Sequence, residues 1–245
     1  MIFNLFNSKP ALKELIPDGF VDIHSHILPA IDDGAKNISD SLNIIRVLKN
    51  IGYSKLIFTP HIYPGLYNNE IKNIKEAFNS VNKKLKDFDL KIEFAAEYMV
   101  DDLLIKKIKG NTILTIKNKY VLIEMGYLYA SRNIYEIIFE LKVLGYTPIL
   151  AHPERYIYYL KDKREIYRLK KAGCKFQMNL FSSTGFYGKN VKRFSENLLK
   201  NNIIDYVGTD IHNPRQLAEF EKKIFSKNIQ LIEEAIEKTN LIFNK

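Results

Sequence analysis

The sequence predicts an α/β fold, and specifically a distorted (β/α)7 TIM-like barrel in a single domain. Seven short apolar segments alternate with amphipathic helical patterns along the 245 residues, which is typical of a parallel α/β protein. Six of these segments end in metal-binding residue types, and barrel enzymes place their chemistry at the carboxyl ends of their strands. A doubly wound open sheet usually feeds one site from only a few strands, so the barrel is favoured.

The predicted strands are mostly continuous apolar runs, as expected when helices cover both faces of a parallel sheet. They are FVDIHSH (20–26), KLIFTPH (55–61), IEFAAEY (92–98), YVLIEMG (120–126), TPILAHP (147–153), KFQMNL (175–180) and IDYVGTD (204–210). Residues 1–18 precede the first strand and are expected to form a short arm or helix. This leaves 19–245 as the barrel domain.

Amphipathic helices are predicted between the strands. Apolar residues at intervals of three or four form stripes over 42–51, 71–85 and 134–144. We expect Ser39 to be the N-cap of the first helix, and Gly52 to end it.

The charge and the cysteine content limit the possible partners and compartment of the protein and say little about its activity. The net charge of +9 would suit an anionic partner, but the lysines are spread among many helices, which favours a solvated surface and no nucleic-acid partner. No apolar run approaches the ~20 residues of a membrane span. The single Cys174 and the absence of a recognisable signal peptide predict a cytoplasmic protein. The oligomeric state stays open.

All five histidines lie at or near the ends of predicted strands: His24, His26, His61, His152 and His212. Side chains repeat every two residues along a strand, so His24 and His26 face the same side and can reach one ion. Asp210 and His212 have the same spacing at the last strand. A lone histidine is more often a packed residue than a ligand, but this joint occurrence indicates a metal site.

Carboxylates complete the candidate site. Glu97 and Glu124 each end an apolar run, where a buried carboxylate is costly without a cation or hydrogen bonds. Asp33 lies in an Asp–Gly turn and could be merely structural, and Asp32 is a rival for its role. Glu97 could instead be an ion-pair partner, and Glu124 a loop cap. Four carboxylates and five imidazoles suit two or three Mn²⁺, Fe²⁺ or Zn²⁺ ions, with Glu97 as the expected bridging ligand.

An arginine three residues after His152 is the expected anion clamp. The guanidinium of Arg155 can bind a phosphoryl group through two oxygens, although an ion pair with Glu154 or another local acid is the alternative. Arg215 is a weaker candidate for substrate binding. Cysteine phosphatases need an arginine six residues after the nucleophile, but Leu180 stands six after Cys174, so that chemistry is excluded.

Taken in order, the motifs DIHSHILPAIDDGAKN, TPH, AAEY, LIEMG, AHPERY and TDIHN resemble the polymerase-and-histidinol-phosphatase (PHP) superfamily. The chain is most similar to the metal-dependent tyrosine-protein phosphatases of bacterial capsule and exopolysaccharide clusters. The resemblance extends from about Phe20 to Ile232. One departure is GTDIHN, where a serine often precedes the aspartate; it leaves both expected ligands intact.

The resemblance implies a PHP-type barrel with three metal ions, usually manganese. It implies three ligand sets: His24, His26, Glu97 and Asp210 for one ion, Glu97, Glu124 and His152 for the second, and Asp33, His61 and His212 for the third. Arg155 matches the family's phosphate-binding arginine. The expected catalytic residues are therefore Arg155, His152 and Asp210.

The implied activity is manganese-dependent hydrolysis of phosphotyrosine by a metal-activated hydroxide, without a phosphoenzyme intermediate. The implied substrate is the tail of a bacterial tyrosine kinase that controls capsule or exopolysaccharide synthesis. One alternative is another metal phosphoesterase, either a histidinol phosphatase or a TatD-type deoxyribonuclease. A second is a non-catalytic protein that kept only the fold, but such a protein should have lost ligands and none is missing.

Overall fold

The computed structural model describes residues 9–86 and 88–244, and its strands are short. They are β1 (Phe20–Asp22), β2 (Tyr53–Phe58), β3 (His61–Ile62), β4 (Lys91–Phe94), β5 (Glu97–Met99), β6 (Tyr120–Glu124), β7 (Thr147–Ala151), β8 (Lys175–Asn179) and β9 (Tyr206–Gly208). The sheets have the orders β1-β2-β4 and β3-β5-β6-β7-β8-β9. All of these pairings are parallel.

Hydrogen bonds join the two sheets into a ring of seven parallel strands. In this ring β3 continues β2, and β5 continues β4, with a short break in each strand. Across these breaks Ala95 N donates to Phe58 O at 2.8 Å. On the other side, His26 N donates to Ile211 O at 2.9 Å, which joins the first strand to the last. The predicted distorted barrel of seven strands is confirmed, and the two breaks are its main distortion.

The helices cover the outside of this ring. They are α1 (Ile38–Ile51), α2 (Ile71–Lys84), α3 (Asp102–Lys109), α4 (Ile134–Val143), α5 (Ile157–Lys161), α6 (Arg164–Ala172), α7 (Leu180–Thr184), α8 (Lys189–Lys200) and α9 (Ile229–Phe243). Three 3₁₀ helices lie at Leu12–Leu15, Pro153–Arg155 and Pro214–Glu221. Within the described ranges, no helix combines the length and apolar character needed to cross a bilayer.

The predicted helices correspond to α1, α2 and α4, but the N-cap predicted for α1 is wrong. Asn37 is the cap, and its side chain accepts a hydrogen bond from Asp40 N at 3.0 Å. Ser39 lies inside the first turn, because the apolar stripe identifies the helix but leaves its first turn uncertain. The predicted end is correct: Gly52 takes a φ of +122°, which favours glycine.

Two apolar cores stabilise the barrel. The inner core fills the ring with side chains such as Val21, Ile57 and Leu122, while a larger core lies between the strands and the helices. At the amino end, the ring of Phe243 lies 4.9 Å from that of Tyr120. This end of the barrel is thus filled with apolar and aromatic groups, and the opposite end is left for polar ones.

The segment before β1 packs against the barrel where it is described. Leu12 and Leu15 are buried, and Leu12 N donates to Lys222 O at 3.0 Å. Residues 1–8 of the predicted arm lie outside the described residues. The domain boundary at 18/19 stays a prediction.

Candidate metal centre

The predicted metal ligands come together at the carboxyl end of the barrel, on or just after strands β1, β3, β5, β6, β7 and β9. Seven of them are buried, His212 is partly buried and Asp33 is exposed. Donor atoms of eight of the nine residues form three groups within which all atoms lie within 4.8 Å of one another, and His152 stands outside all three. The groups are His24, His26, Glu97 and Asp210; His61, Glu97 and Glu124; and His26, Asp33, His61 and His212. The sequence thus predicted residues that lie far apart in the chain and close together in space.

The first group has the dimensions of a tetrahedral site. His24 Nε2 and His26 Nε2 are 3.2 Å apart. Glu97 Oε2 lies 3.2 and 3.3 Å from these nitrogens, and Asp210 Oδ1 lies 3.3 and 3.4 Å from them. Two donors of one tetrahedral ion with bonds of about 2.1 Å are separated by about 3.4 Å. These residues match the first ligand set that the family resemblance implies.

The second group surrounds Glu97 and Glu124. His61 Nδ1 lies 3.1 Å from Glu97 Oε2 and 2.9 Å from Glu124 Oε1. His152 Nε2 lies 3.1 Å from Glu97 Oε1 and 3.9 Å from Glu124 Oε2, on the other side of the two carboxylates. This arrangement brings together the implied second set of Glu97, Glu124 and His152, and adds His61 to it.

The third group lies at the mouth of the site. Asp33 Oδ1 is 3.5 Å from His61 Nε2 and 3.6 Å from His212 Nε2. The ring of His26 stacks on that of His212 with centroids 4.0 Å apart. The imidazole of His61 therefore faces two groups, one with each ring nitrogen.

Hydrogen bonds orient three of the imidazoles so that Nε2 faces the centre. His24 Nδ1 lies 2.7 Å from Gln177 Oε1, and His212 Nδ1 lies 2.8 Å from the backbone oxygen of Asp210. His26 Nδ1 lies 2.9 Å from Asp32 Oδ2. When Nδ1 donates a proton to an oxygen, the lone pair of Nε2 is left free for a cation.

The loop after β1 separates the roles of its two neighbouring aspartates. Asp32 is held by three hydrogen bonds, from His26 Nδ1 and from the backbone N–H groups of Gly34 and His61. Asp33 points to the third group instead. A Cβ on Gly34 would lie 2.0 Å from the backbone oxygen of His26, so only glycine fits this close approach. The geometry favours Asp33 over its rival as a ligand and makes Asp32 a residue that orients His26.

Two predicted ligands adopt left-handed backbone conformations. His152 has a φ of +34° and Asp210 a φ of +54°. Such conformations cost about 1–3 kcal/mol each in residues other than glycine and cluster at functional sites. The fold therefore maintains local strain where these two strands meet the site.

The charges of the centre depend on one another. Burial lowers the pKa of His24, but the carboxylates of Glu97 and Asp210 outweigh it and raise this pKa to about 9. Burial raises the pKa of Asp32, but the imidazoles of His26 and His61 and the hydrogen bonds lower it to about 2. The buried carboxylates thus require positive charge nearby, which bound protons supply when no metal does.

The donor set fits divalent metal ions. Glu97 Oε2 and His61 Nδ1 are buried and lie 3.1 Å apart, yet neither forms a well-aligned hydrogen bond within the described part of the chain. Such atoms are costly to leave unsatisfied, and a cation between them would remove the cost. Mixed imidazole and carboxylate ligands suit Mn²⁺, Fe²⁺ and Zn²⁺, which all accept nitrogen and oxygen donors.

A cavity of about 240 Å³ opens above these residues. Asp33, His61, Glu124, His152, Asp210 and His212 form its polar side, and Tyr63, Leu66, Tyr67, Met99 and Tyr127 contribute the apolar side. A small aromatic group with an anionic end would meet complementary surfaces in this cavity.

Arg155 lies in the wall of the cavity between two tyrosines. Its guanidinium carbon is 4.6 Å from the ring centroid of Tyr127 and 4.4 Å from that of Tyr187. Its Nη1 donates to Asp210 Oδ2 at 2.8 Å, so its ionic partner is Asp210 and not Glu154. Glu154 is buried and accepts hydrogen bonds from Asn179 N and Ser182 Oγ. Stacking and pairing fix Arg155 with its planar fork beside the predicted metal groups.

Arg215 lies outside this cavity. It lines a neighbouring groove together with Lys36 and Asn213, and the two spaces share Asp33. Its side chain is exposed. Its role in substrate binding stays a prediction.

Sequence reasoning missed the polar support beneath the ligands. Gln177 and Asn179 alternate with apolar residues in β8, and this period-two pattern could have placed both side chains inside the barrel. Asn179 Nδ2 donates to Asp210 Oδ2 at 2.6 Å. Tyr187 follows α7 and carried no distinguishing signal in the sequence, because a tyrosine in a glycine-bounded loop has many possible roles.

Cys174 is not part of the site. It is buried, and burial raises the pKa of its thiol to about 12. The thiolate is the nucleophilic form, so this cysteine is inert near neutral pH.

The fold and the site define a class, a parallel (β/α)7-barrel protein with a candidate multinuclear metal centre at the carboxyl end of its strands. The family model described as capsular polysaccharide synthesis, CpsB/CapC, matches residues 20–236. The chain belongs to this family, as the sequence predicted.

Curated relatives agree with this assignment. The chain is 34% identical to the tyrosine-protein phosphatase YwqE of Bacillus subtilis over 196 residues, which cover 79% of this chain and 77% of that protein. It is 30% identical to the tyrosine-protein phosphatase CpsB of Streptococcus pneumoniae over 203 residues, which cover 79% and 83%.

Solved structures give the same result. A crystal structure from work on YwqE of Bacillus subtilis and CpsB of Streptococcus pneumoniae, described as unique metal-dependent tyrosine phosphatases, matches with a TM-score of 0.78 and 30% identity. The match covers 92% of this chain and 95% of that one. Histidinol phosphate phosphatase of Lactococcus lactis matches at 0.54 with 14% identity over 88% of this chain and 93% of that one, which supports the fold alone.

Proposed function

We propose that this protein is a metal-dependent protein-tyrosine phosphatase that hydrolyses phosphotyrosine on a protein substrate. The observation that carries the proposal is the position of Arg155, which lies in the cavity wall and is paired with Asp210 of the first group of metal-type donors. The similarity of the chain to YwqE and CpsB, both named tyrosine-protein phosphatases, supports the same activity.

Nine residues would hold two or three ions, with Mn²⁺ as the proposed metal and Fe²⁺ or Zn²⁺ as alternatives. They are His24, His26, Asp33, His61, Glu97, Glu124, His152, Asp210 and His212. Ions at these positions would activate a water as the nucleophile and balance charge on the phosphoryl oxygens. Glu97 reaches both the first and the second group, which makes it the proposed bridging carboxylate.

The protein's own residues would bind and orient the phosphoryl group. Arg155 presents a planar fork that matches two phosphoryl oxygens, and Tyr127 and Tyr187 prevent it from rotating away. Asp210 shares its Oδ2 between Arg155 and Asn179, so the arginine and the first donor group are held in one network. This coupling fixes the distance between the anion clamp and the metal groups.

The apolar side of the cavity would hold the phenyl ring. Tyr127 and Met99 lie in its wall, and they would exclude water from one side of the substrate. A phenol with a pKa of about 10 is a tolerable leaving group, whereas the alkoxide of serine is a much poorer one. The cavity therefore suits phosphotyrosine better than phosphoserine.

The proposal extends to the setting of the reaction. A capsule-related family supports a role in capsule or exopolysaccharide synthesis. We infer that the substrate is the tail of a bacterial tyrosine kinase and that the reaction occurs in the cytoplasm, where the lone Cys174 stays reduced.

Phosphate release from a phosphotyrosine peptide tests the proposal. Metal-stripped protein should be inactive, and Mn²⁺ should restore tyrosine-selective hydrolysis. Arg155→Ala should lower kcat/KM by about 100-fold, as expected for a donor that stabilises transition-state charge. The matched control is Arg168→Ala, since that arginine is 70% exposed on α6 and lies outside the cavity.

Three further substrates distinguish the alternatives. Cleavage of single-stranded DNA with an inert phosphopeptide would replace the proposal by a nuclease. Preferred hydrolysis of histidinol phosphate would indicate a small-molecule phosphatase. Equal rates on phosphoserine and phosphotyrosine peptides would contradict the proposed selectivity.

A further inference from the structure

Three loops around the mouth of the cavity contain no charged residue. They are the segments at the ends of β3, β6 and β8, residues 62–69, 125–131 and 179–188, the last of which includes α7, and we call them together the rim. Asp, Glu, Lys and Arg make up 27% of the whole chain, and they are spread over its helices. The absence of charge in three separate loops at the same end of the barrel distinguishes this surface from the rest of the molecule.

The rim is uncharged and also exposes large apolar side chains. Leu66 is 61% exposed, Leu128 65%, Tyr129 82% and Phe186 43%. These side chains come from all three loops. Several exposed apolar side chains around one cavity indicate a binding surface, whereas single exposed apolar residues are ordinary.

The rim continues without a break into the cavity. Leu66 and Tyr127 belong to the rim and also line the cavity. Tyr187, at the end of the third loop, stacks on Arg155 inside it. A molecule whose phosphoryl group reaches Arg155 would therefore lay its adjoining parts on the rim.

The exposed apolar residues of α4 differ from the rim because charged residues lie beside them and they do not line the cavity. Phe139 and Val143 are each 64% exposed on the outside of the barrel. They lie beside Glu140 and Lys142 on the same helix and do not line the cavity. Nothing in the structure shows what would cover them, so only the rim has an identifiable occupant.

We propose that the rim binds the substrate polypeptide on both sides of the phosphotyrosine and selects apolar, uncharged flanking residues. This inference rests on the proposed phosphatase function. Apolar flanking side chains would cover Leu66, Leu128 and Phe186, and water would leave both surfaces. A carboxylate in the same place would lose hydration and find no cationic partner among the rim residues, because Arg132 and Lys189 lie just beyond the ends of its second and third segments. We therefore expect acidic flanks to be disfavoured.

Two phosphotyrosine peptides of equal length test this selectivity, one with leucine and one with glutamate on both sides of the phosphotyrosine. With Mn²⁺ present, kcat/KM should be at least about tenfold higher for the leucine peptide, the scale that apolar pockets achieve. In the double variant Leu66→Ser/Leu128→Ser, kcat/KM for the leucine peptide should fall about tenfold, mainly through a higher KM. The ratio of kcat/KM for the leucine peptide to that for the glutamate peptide should then approach one.

The matched control is Leu241→Ser on α9. Leu241 is 62% exposed, nearly as much as Leu66 and Leu128, but it lies near the amino end of the barrel, two residues before Phe243. The Leu241→Ser variant should hydrolyse both peptides at the rates of the wild type. Equal losses from this control and the double variant would overturn the inference, as would a wild-type enzyme that hydrolyses both peptides alike.

The same experiment separates the two proposals. If both peptides are hydrolysed at equal rates, the rim does not select flanking residues, and the proposed phosphatase activity still holds. No phosphate release from either peptide, nor from p-nitrophenyl phosphate, would reject the proposed function itself.

Discussion

The two ends of the barrel hold buried carboxylates in opposite ways. At the amino end, Asp205 is 2% exposed, and its oxygens lie 2.5 Å from Lys170 Nζ and 3.2 Å from Lys175 Nζ. At the carboxyl end, Glu97 is fully buried, and its Oε2 has no hydrogen-bond partner among the described residues. A carboxylate paired with lysines stabilises the fold, while one that faces imidazoles and keeps one oxygen without a hydrogen bond is suited to a cation. Burial alone therefore does not reveal which role a carboxylate has.

The largest expected effect is at Glu97. Glu97→Gln should lower phosphatase activity by about a thousandfold, because charge balance by metal ions is worth several kcal/mol and this residue reaches two donor groups. Metal content by mass spectrometry should fall by at least one ion per chain. If the Glu97→Gln variant keeps its full metal content and activity, Glu97 does not bind a metal ion.

At the amino end, Phe243→Ala should act on stability. The side chain is fully buried against Tyr120 and Tyr206, and large-to-small changes at such sites cost about 3–5 kcal/mol. Denaturant unfolding should show this loss, and kcat of the folded fraction should stay near that of the wild type. A large fall in kcat with unchanged stability would show that the two ends are not independent.

Asp205→Asn is the counterpart of the change at Glu97, since both replace a carboxylate by its amide. We expect a loss of about 2 kcal/mol in unfolding free energy, less than for a fully buried pair because Lys170 and Lys175 are 27% and 40% exposed. Metal content should not change. Altered metal content would mean that the paired carboxylate also supports the centre.

A further pair of variants distinguishes the two aspartates after β1. Asp32→Asn should weaken metal affinity by about 10- to 100-fold and leave the number of bound ions unchanged, because Asp32 orients His26 from behind. Asp33→Asn should remove an ion from the third group. Titration with Mn²⁺ measures both, and the opposite outcome would make Asp32 the ligand.

Several candidate ligands were predictable from the sequence because strand geometry restricts them. Side chains two apart on a strand face the same way, so His24 and His26 could be assigned together, and they do share a group. The same spacing misled for Asp210 and His212, because both follow β9, Asp210 has a left-handed φ, and the two belong to different groups. The ends of parallel strands meet at one edge, which brings Glu97 and Glu124 to the same place. Residue type and spacing therefore indicated the histidines, while the choice between Asp32 and Asp33 needed the family resemblance and then the contacts.

The supporting residues were less predictable because their roles depend on tertiary contacts. Gln177 orients His24 from a strand that the sequence reading left without a candidate. Tyr187 reaches Arg155 through a loop whose path the sequence does not determine. The breaks within the second and third barrel strands also went unpredicted, since each predicted segment covers both halves of an interrupted strand.

The closure of the ring between the first and last strands has a consequence for the order of events during synthesis. His24 and His26 come from β1 and its continuation, and Asp210 from the residues after β9, nearly 190 positions later. The first donor group therefore does not exist until the final strand docks between β8 and β1. A nascent chain on the ribosome would hold several histidines but no complete centre, so that catalysis begins only when the barrel has closed.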